Sequence, residues 1–444
     1  NALNLIAISG GGSAGTAGVN AAVATLVQNN IVQSTISTNA AINANNREHR
    51  TKSSVTVAAT SDTDESATAG SGAIGGTAGV SAAVVTFTGK SSVKAEIAEN
   101  SIIYAGSDIT ITAIYRGNLY INSIGAAAGG VAGVGADSSV LVFESLVEAK
   151  SASSLTADTG SIVIYALSDS FVELAGSSIN GAGTAAVGAA IGVIVFKGKT
   201  HAYLASGINI TAGKDITIIA FSNEKITGAV AGIGGAGTAA VGGSVAVVVM
   251  NIETTAVIDD YVTVNANGTL TISAADKSDI ITVVGGVSAA GVASVGIAVE
   301  TTVYQNTVTA KIGNYNHVTV GAVNMTAVAE RKINSHGAMI SASGAAAVQG
   351  SVIVLNIGSS TDDENANSVD GHKDLTKDAV SEASTRTDNA VSYNMGMQIK
   401  SDHFNKYIDS LNADLTAYAK NYTNMSDSIF KKETADKTVA VIGD

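Results

Sequence analysis

An octet returns seven times along this chain at a near-fixed interval, and that recurrence limits what the chain can fold into. TAGVNAAV begins at Thr16 and TAGVSAAV at Thr77. VAGVGADS follows at Val131, TAAVGAAI at Thr184, TAAVGGSV at Thr238, VASVGIAV at Val292 and AAAVQGSV at Ala345. The spacings are 61, 54, 53, 54, 54 and 53 residues, the first stretched by a polar insert, NNREHRTK, from Asn45 to Lys52. Self-similarity at a fixed period marks a stacked repeat, in which no unit can bury its apolar surface without its neighbours.

Within each octet the residues alternate. Counting the first residue as zero, position +1 is Ala in every copy (Ala17, Ala78, Ala132, Ala185, Ala239, Ala293, Ala346). Position +3 is Val in every copy (Val19, Val80, Val134, Val187, Val241, Val295, Val348). Position +7 is Val or Ile except at Ser138. Even positions hold Gly, Ala, Ser, Asn, Gln and, once, Asp137. A period of two is a strand signature. The expectation is that the odd, Val-bearing side faces a core and the small even side is open. On that reading Val241→Asp is costly and Gly242→Ser mild.

A second motif, apolar-x-apolar-x-Ala, follows each octet, as in Ile109-Ile111-Ala113 and Ile216-Ile218-Ala220. Turn residues precede it: AGSD, ADTG, AGKD, NANG. One period is therefore a long strand, a turn, a second strand and a Gly-rich return. The expected fold class is all-β, a parallel β-solenoid (β-helix) of 53–54-residue repeats over 1–358. Each period is either one wide coil or two coils of about 27 residues. Composition agrees. At about 5 % Pro roughly 22 prolines would be expected, and there are none. Pro cannot donate to a strand ladder. The 27 residues Ile226–Ile252 are apolar enough to span a membrane, but GIGGAG interrupts them and they repeat, so they read as strands.

The pattern stops at Gly358. Residues 359–437 hold 14 Asp and Glu with 9 Lys and Arg, and are richer in aromatics. Phe404, Ile408, Leu411, Leu415, Tyr418 and Tyr422 fall at helical spacing. This segment is expected to be an inserted α-helical hairpin, with Phe404, Tyr407, Tyr418 and Tyr422 as candidates for partner contact. Strand register is expected to resume over 438–444, because TVAVIGD resembles TTAVIDD (Thr254 to Asp260). Both ends are expected to be cut through a repeat of a longer polypeptide.

The octets followed by segments such as ITAGKDITIIA resemble the repeat regions of very large bacterial exoproteins. These are the filamentous-haemagglutinin-like and leukotoxin-like adhesins exported through type V routes. The resemblance implies a right-handed extracellular solenoid stalk. It covers about residues 1–357 and does not extend to the helical segment.

Signals of other chemistry are weak. The chain has no Cys, which excludes disulfides and Cys-ligated metals and suits an exported protein. A net charge of −13 argues against nucleic acid as a partner. None of the six His stands in a metal-ligand motif. GIGGAGTAAVG (Gly232 to Gly242) imitates a phosphate loop, but an alternating strand follows where a helix is required. Two acidic clusters are Ca²⁺ candidates by their hard oxygen ligands: Asp62, Asp64 and Glu65, and Asp362, Asp363 and Glu364. No cofactor, resident metal or enzyme activity is expected.

The function expected is a structural stalk segment of a secreted surface adhesin, working in attachment or cell–cell contact. Its partners would be a host or neighbouring-cell ligand, or copies of itself. The alternatives are a self-associating fibre or matrix subunit and, more remotely, a fragment of a secreted toxin.

Overall fold

The computed structural model describes residues 2–13, 16–44, 52–358, 436–437 and 441–442. Each period is one wide coil of three strands. The first turn holds β1 (Ala2–Ser13), β2 (Ala17–Ile36) and β3 (Ala41–Ile42); the second β4 (Val55–Gly75), β5 (Ala78–Ile97) and β6 (Ile102–Ala105). The third holds β7 (Ile109–Gly129), β8 (Ala132–Ser151) and β9 (Ser154–Ala157); the fourth β10 (Ile162–Ala182), β11 (Ala185–Leu204) and β12 (Asn209–Ala212). The fifth holds β13 (Ile216–Ala236), β14 (Ala239–Ile258) and β15 (Thr263–Ala266); the sixth β16 (Thr269–Ala290), β17 (Ala293–Ile312) and β18 (His317–Thr319). The seventh has β19 (Ala322–Ser343) and β20 (Ala346–Ile357), and two-residue strands β21 (Asp436–Lys437) and β22 (Val441–Ile442) follow.

Successive turns stack in parallel to give three sheets. The first contains β1, β4, β7, β10, β13, β16 and β19, with β21 antiparallel at its edge. The second contains β2, β5, β8, β11, β14, β17 and β20, and the third the short strands β3 to β18. The octets stack in register: Val187 lies opposite Val241, and Val241 opposite Val295. The Ile-x-Ile-x-Ala motifs do the same in the first sheet, Ile162, Ile216 and Leu270 forming one column. Residues 226–252 are strands β13 and β14 and their connection. Among the described residues no helix is long and apolar enough to cross a membrane.

The turn section tapers. At the base, Ile97, Ile103 and Ile109 of the three sheets are fully buried together, and Leu204, Ile210 and Ile216 repeat the arrangement. Midway along the long strands Phe87, Tyr115, Phe143, Phe196 and Tyr304 fill the gap. At the apex the first and second sheets are joined by two residues, such as Gly183-Thr184 and Gly237-Thr238. Backbone bonding continues through these connections, Gly237 N–H to the Ala182 carbonyl and Thr238 N–H to the Thr184 carbonyl.

The taper reverses the expected assignment of faces in the octet. The even, small side faces inward: Ala186, Ala190, Ala240 and Ser244 are buried. The odd, Val-bearing side faces outward: Val187 is 37 % exposed and Val241 39 %. The cause is the distance between the sheets near the apex. A Cβ at Gly188 would stand 2.3 Å from the Ile233 carbonyl oxygen, and one at Gly242 would stand 2.9 Å from that of Val287. Gly, Ala and Ser predominate between backbones this close, Asp137 being the larger exception among the buried ones, and the β-branched residues take the outside. The expectation that Val241→Asp is costly and Gly242→Ser mild is overturned with the faces.

The expected helical hairpin of 359–437 lies outside the described residues, apart from Asp436–Lys437, as does most of the polar insert at 45–52. At the end of the chain β22 pairs in parallel with β17, Val441 opposite Lys311 and Ile442 opposite Ile312. One turn earlier those positions face Val257 and Ile258.

Candidate functional site

The second sheet carries an apolar surface on its outer side. Its first eleven positions per strand, such as 185–195 in β11 and 239–249 in β14, place no Asp, Glu, Lys or Arg outward in any of the seven turns. The outward residues form columns along the stacking direction. Ala185, Ala239 and Ala293 make one, and Val187, Val241 and Val295 the next. A third column runs Ala136, Ala189, Gly243, and a fourth Ile191, Val245, Val299. Ridges of β-branched side chains therefore alternate with furrows of Ala and Gly. Ile191 is 44 % exposed and Ile297 50 %. The outer side of the first sheet near the apex is also aliphatic, with Ile74, Ile124, Ile179, Val287 and Ile340 exposed.

Toward the base the character changes. Lys90 pairs with Glu144 at 3.5 Å, Lys94 with Glu148 at 3.5 Å, Glu96 with Lys150 at 3.2 Å and Lys199 with Glu253 at 2.9 Å. These are vertical neighbours one turn apart, so each pair sets opposite charges within one column. Exposed pairs of this kind add roughly 0–1 kcal/mol each; their clearer consequence is a border of mixed charge. On the outer side of the first sheet, Ile114, Leu167, Phe221, Ala275 and Val328 form a separate buried apolar cluster, with Tyr165 packed on it. At one corner Tyr261 and Tyr315 stack with centroids 5.0 Å apart, both exposed and at positive φ. Equivalent corners carry Asn39, Asn100 and Gly207, residues that favour that conformation.

Between the sheets lies a polar network. Ser222 donates to Asp276 at 2.6 Å, and Tyr304 donates to Ser278 at 2.8 Å and to Asp276 at 3.2 Å. Asn306 Nδ2 donates to Asp276 at 2.5 Å. Burial pushes the Glu224 carboxyl well above the ordinary range, and the adjacent Asp276 adds to the effect. Held protonated, Glu224 hydrogen bonds to Asp276. These groups are closed in between the two sheets. Most of these groups satisfy one another across the interior, where an unpaired buried polar group costs about 1–3 kcal/mol; Glu224 Oε1 and Asn306 Oδ1 find no partner among the described residues.

Of the sequence candidates, Asp62, Asp64 and Glu65 stand on β4, where strand alternation separates them. Asp62 and Asp64 point outward, and Asp62 meets Arg116 at 3.2 Å. Glu65 points inward and is buried. Among the described residues no group of three or more His, Asp or Glu is placed to hold a metal ion. Asp362, Asp363, Glu364, Phe404, Tyr407, Tyr418 and Tyr422 lie outside the described residues. His201 is half-buried beside Glu253 at 3.4 Å, and burial lowers its pKa. GIGGAGTAAVG forms the end of β13, the apex and the start of β14.

Two interior carboxyls make stability depend on pH. Burial pushes Glu65 up to about 7 and Asp137 up to about 6, the latter against the Ala83 N–H that donates to it at 2.8 Å. Each holds its proton more tightly folded than unfolded. Their contribution is complete below the unfolded values and is lost as pH rises through about 6 to 7. The melting temperature of the chain is expected to fall between about pH 4 and pH 7 more steeply than that of a Glu65→Gln, Asp137→Asn variant. Parallel curves for the two proteins would contradict this.

Comparison with protein-family models, with curated proteins and with solved structures finds no match.

Proposed function

We propose that this chain is a structural stalk segment of a large secreted bacterial surface adhesin, acting in attachment or cell–cell contact. The observation that carries the reading is the unbroken parallel ladder through seven turns. Interior strands of the two long sheets are bonded on both sides, and such a body lengthens simply by adding turns. The resemblance of the octets to filamentous-haemagglutinin-like and leukotoxin-like exoproteins supports the same role, with export by a type V route to the cell surface. The role is mechanical and non-enzymatic, and its partners are a ligand on a host or neighbouring cell, or copies of the chain. In this reading 359–437 supplies contact through Phe404, Tyr407, Tyr418 and Tyr422, since aromatic anchors dominate interface energy. Negative-stain imaging of the secreted parent protein is expected to show single long rods attached to the cell at one end. Compact particles free of the cell would sink the proposal.

A second reading, a self-associating fibre or matrix subunit, is favoured by the exposed aliphatic face of the second sheet. Purified chain would then form lateral or end-to-end polymers in the same images.

A further inference from the structure

We infer that two copies of this chain pair face to face through the apical half of the second sheet. The first argument is area. Seven strands about 4.8 Å apart, each presenting eleven residues at about 3.3 Å, make a surface of roughly 1,000 Å². A stable complex needs about 800 Å² per partner. Exposed apolar patches on monomeric proteins are generally a few hundred Å².

The second argument is shape. Columns of Val and Ile at octet positions +3 and +7 alternate with columns of Ala and Gly at +1 and +5. Ile297 is an exception, standing in the second furrow. Across positions +1 to +7 a copy related by a two-fold axis and displaced by one column sets its ridges into the other's furrows; the columns at +9 and +11, such as Val193 and Val195, are mostly β-branched and carry no furrow. Two sheets packed in this way lie about 10 Å apart. A pair made by the same patch on both copies is closed at that patch.

The third argument is charge. The chain carries −13 overall, which would keep copies apart if those charges faced each other. On this face none does, and the bordering columns carry both signs, with the pairs Lys90–Glu144, Lys94–Glu148 and Lys199–Glu253 and with Lys197 and Lys311 outside them. The border carries no Trp, and in its first column Lys197 alone is basic and outside an ion pair, too little to favour a lipid surface. The occupant that fits is a second copy. The inference goes beyond the stalk reading: a stalk whose copies stay separate is still a stalk.

Sedimentation equilibrium of the purified 444-residue chain tests it. The expected mass is twice 44.0 kDa, insensitive to added sodium chloride because no ion pair crosses the face. Val187→Asp with Val241→Asp and Val245→Asp is expected to give the single mass with an unchanged far-ultraviolet β signal. If that variant misfolds, Val→Thr at the same three positions keeps shape and β propensity and should weaken pairing at least about tenfold. Wild-type protein that stays at the single mass at tens of micromolar would overturn the inference, as would a dimer that survives both variants. Single-mass protein that floats with phosphatidylcholine vesicles, and ceases to do so in the Asp variant, would assign the face to lipid and overturn it equally.

Discussion

Replacing Gly188 with Val is expected to destabilise the chain by about 3 kcal/mol or more, whereas replacing the adjacent Val187 with Thr should cost less than about 1 kcal/mol. The two positions are neighbours on β11 and differ in the side of the sheet they face. At Gly188 a Cβ would meet the Ile233 carbonyl oxygen at 2.3 Å. That oxygen belongs to the backbone of a strand bonded to neighbours on both sides, so it cannot yield as a flexible side chain would. Relief requires the two sheets to part near the apex, which would disturb the small residues packed there in adjacent turns. Val187 has no such constraint, because its side chain points to solvent and Thr keeps the β-branched shape that suits a strand. Chemical denaturation of both variants distinguishes the cases. Equal costs would show that the sheets are not closely apposed at the apex.

The second large effect is expected in the middle of the taper. Phe143 is buried, with ring centroids 6.3 Å from Phe87, 6.0 Å from Tyr115 and 5.8 Å from Phe196. Three of these rings come from successive turns of the second sheet, and Tyr115 reaches across from the first. Phe143→Ala removes the shared member and leaves a cavity that neighbouring strands, fixed by their ladders, cannot collapse around. The expected loss is about 3–5 kcal/mol, while Phe143→Leu should cost less than half as much. A loss under about 1 kcal/mol for the Ala variant would mean that the rings fill the section without supporting it.

The expected loss at Phe143 depends on packing that the repeat period does not reveal, and the same division runs through the whole chain. The 53–54-residue interval and the constant Ala and Val positions are consequences of in-register stacking, so the solenoid and its register could be read directly from the sequence. One coil per period could not, because two short coils would give the same recurrence. The orientation of the octet is the reverse of the one its Val positions suggest. Alternation identifies two faces but not which is inside, and the usual preference for buried Val was overruled by the spacing of the sheets. Gly242 and Gly188 on the small side carry the relevant signal: runs of Gly and Ala at every second position mark a backbone-to-backbone approach.

The acidic residues misled for a related reason. Asp62, Asp64 and Glu65 are adjacent in sequence, but a strand sends them to opposite sides. Glu224 and Asp276, 52 residues apart, are brought together only by the 54-residue stacking of β13 on β16. Tyr261 and Tyr315 could have been found, since they stand 54 residues apart, one period, although the VTV after each is shifted by two residues between the copies. Their stacking follows from the same rule that aligns the Val columns.

The central claim is that the octet places its small residues between two closely apposed sheets and its β-branched residues outside. Because the chain has no Cys, single Cys substitutions along 185–195 report side-chain access without background. The measurement is the rate of thiol labelling in folded protein, dilute enough to be monomeric, at each successive position. Fast labelling at 187, 191 and 195 with protection at 186, 190 and 194 is the predicted pattern. Protection at 187 and 191 with fast labelling at 186 and 190 would contradict it.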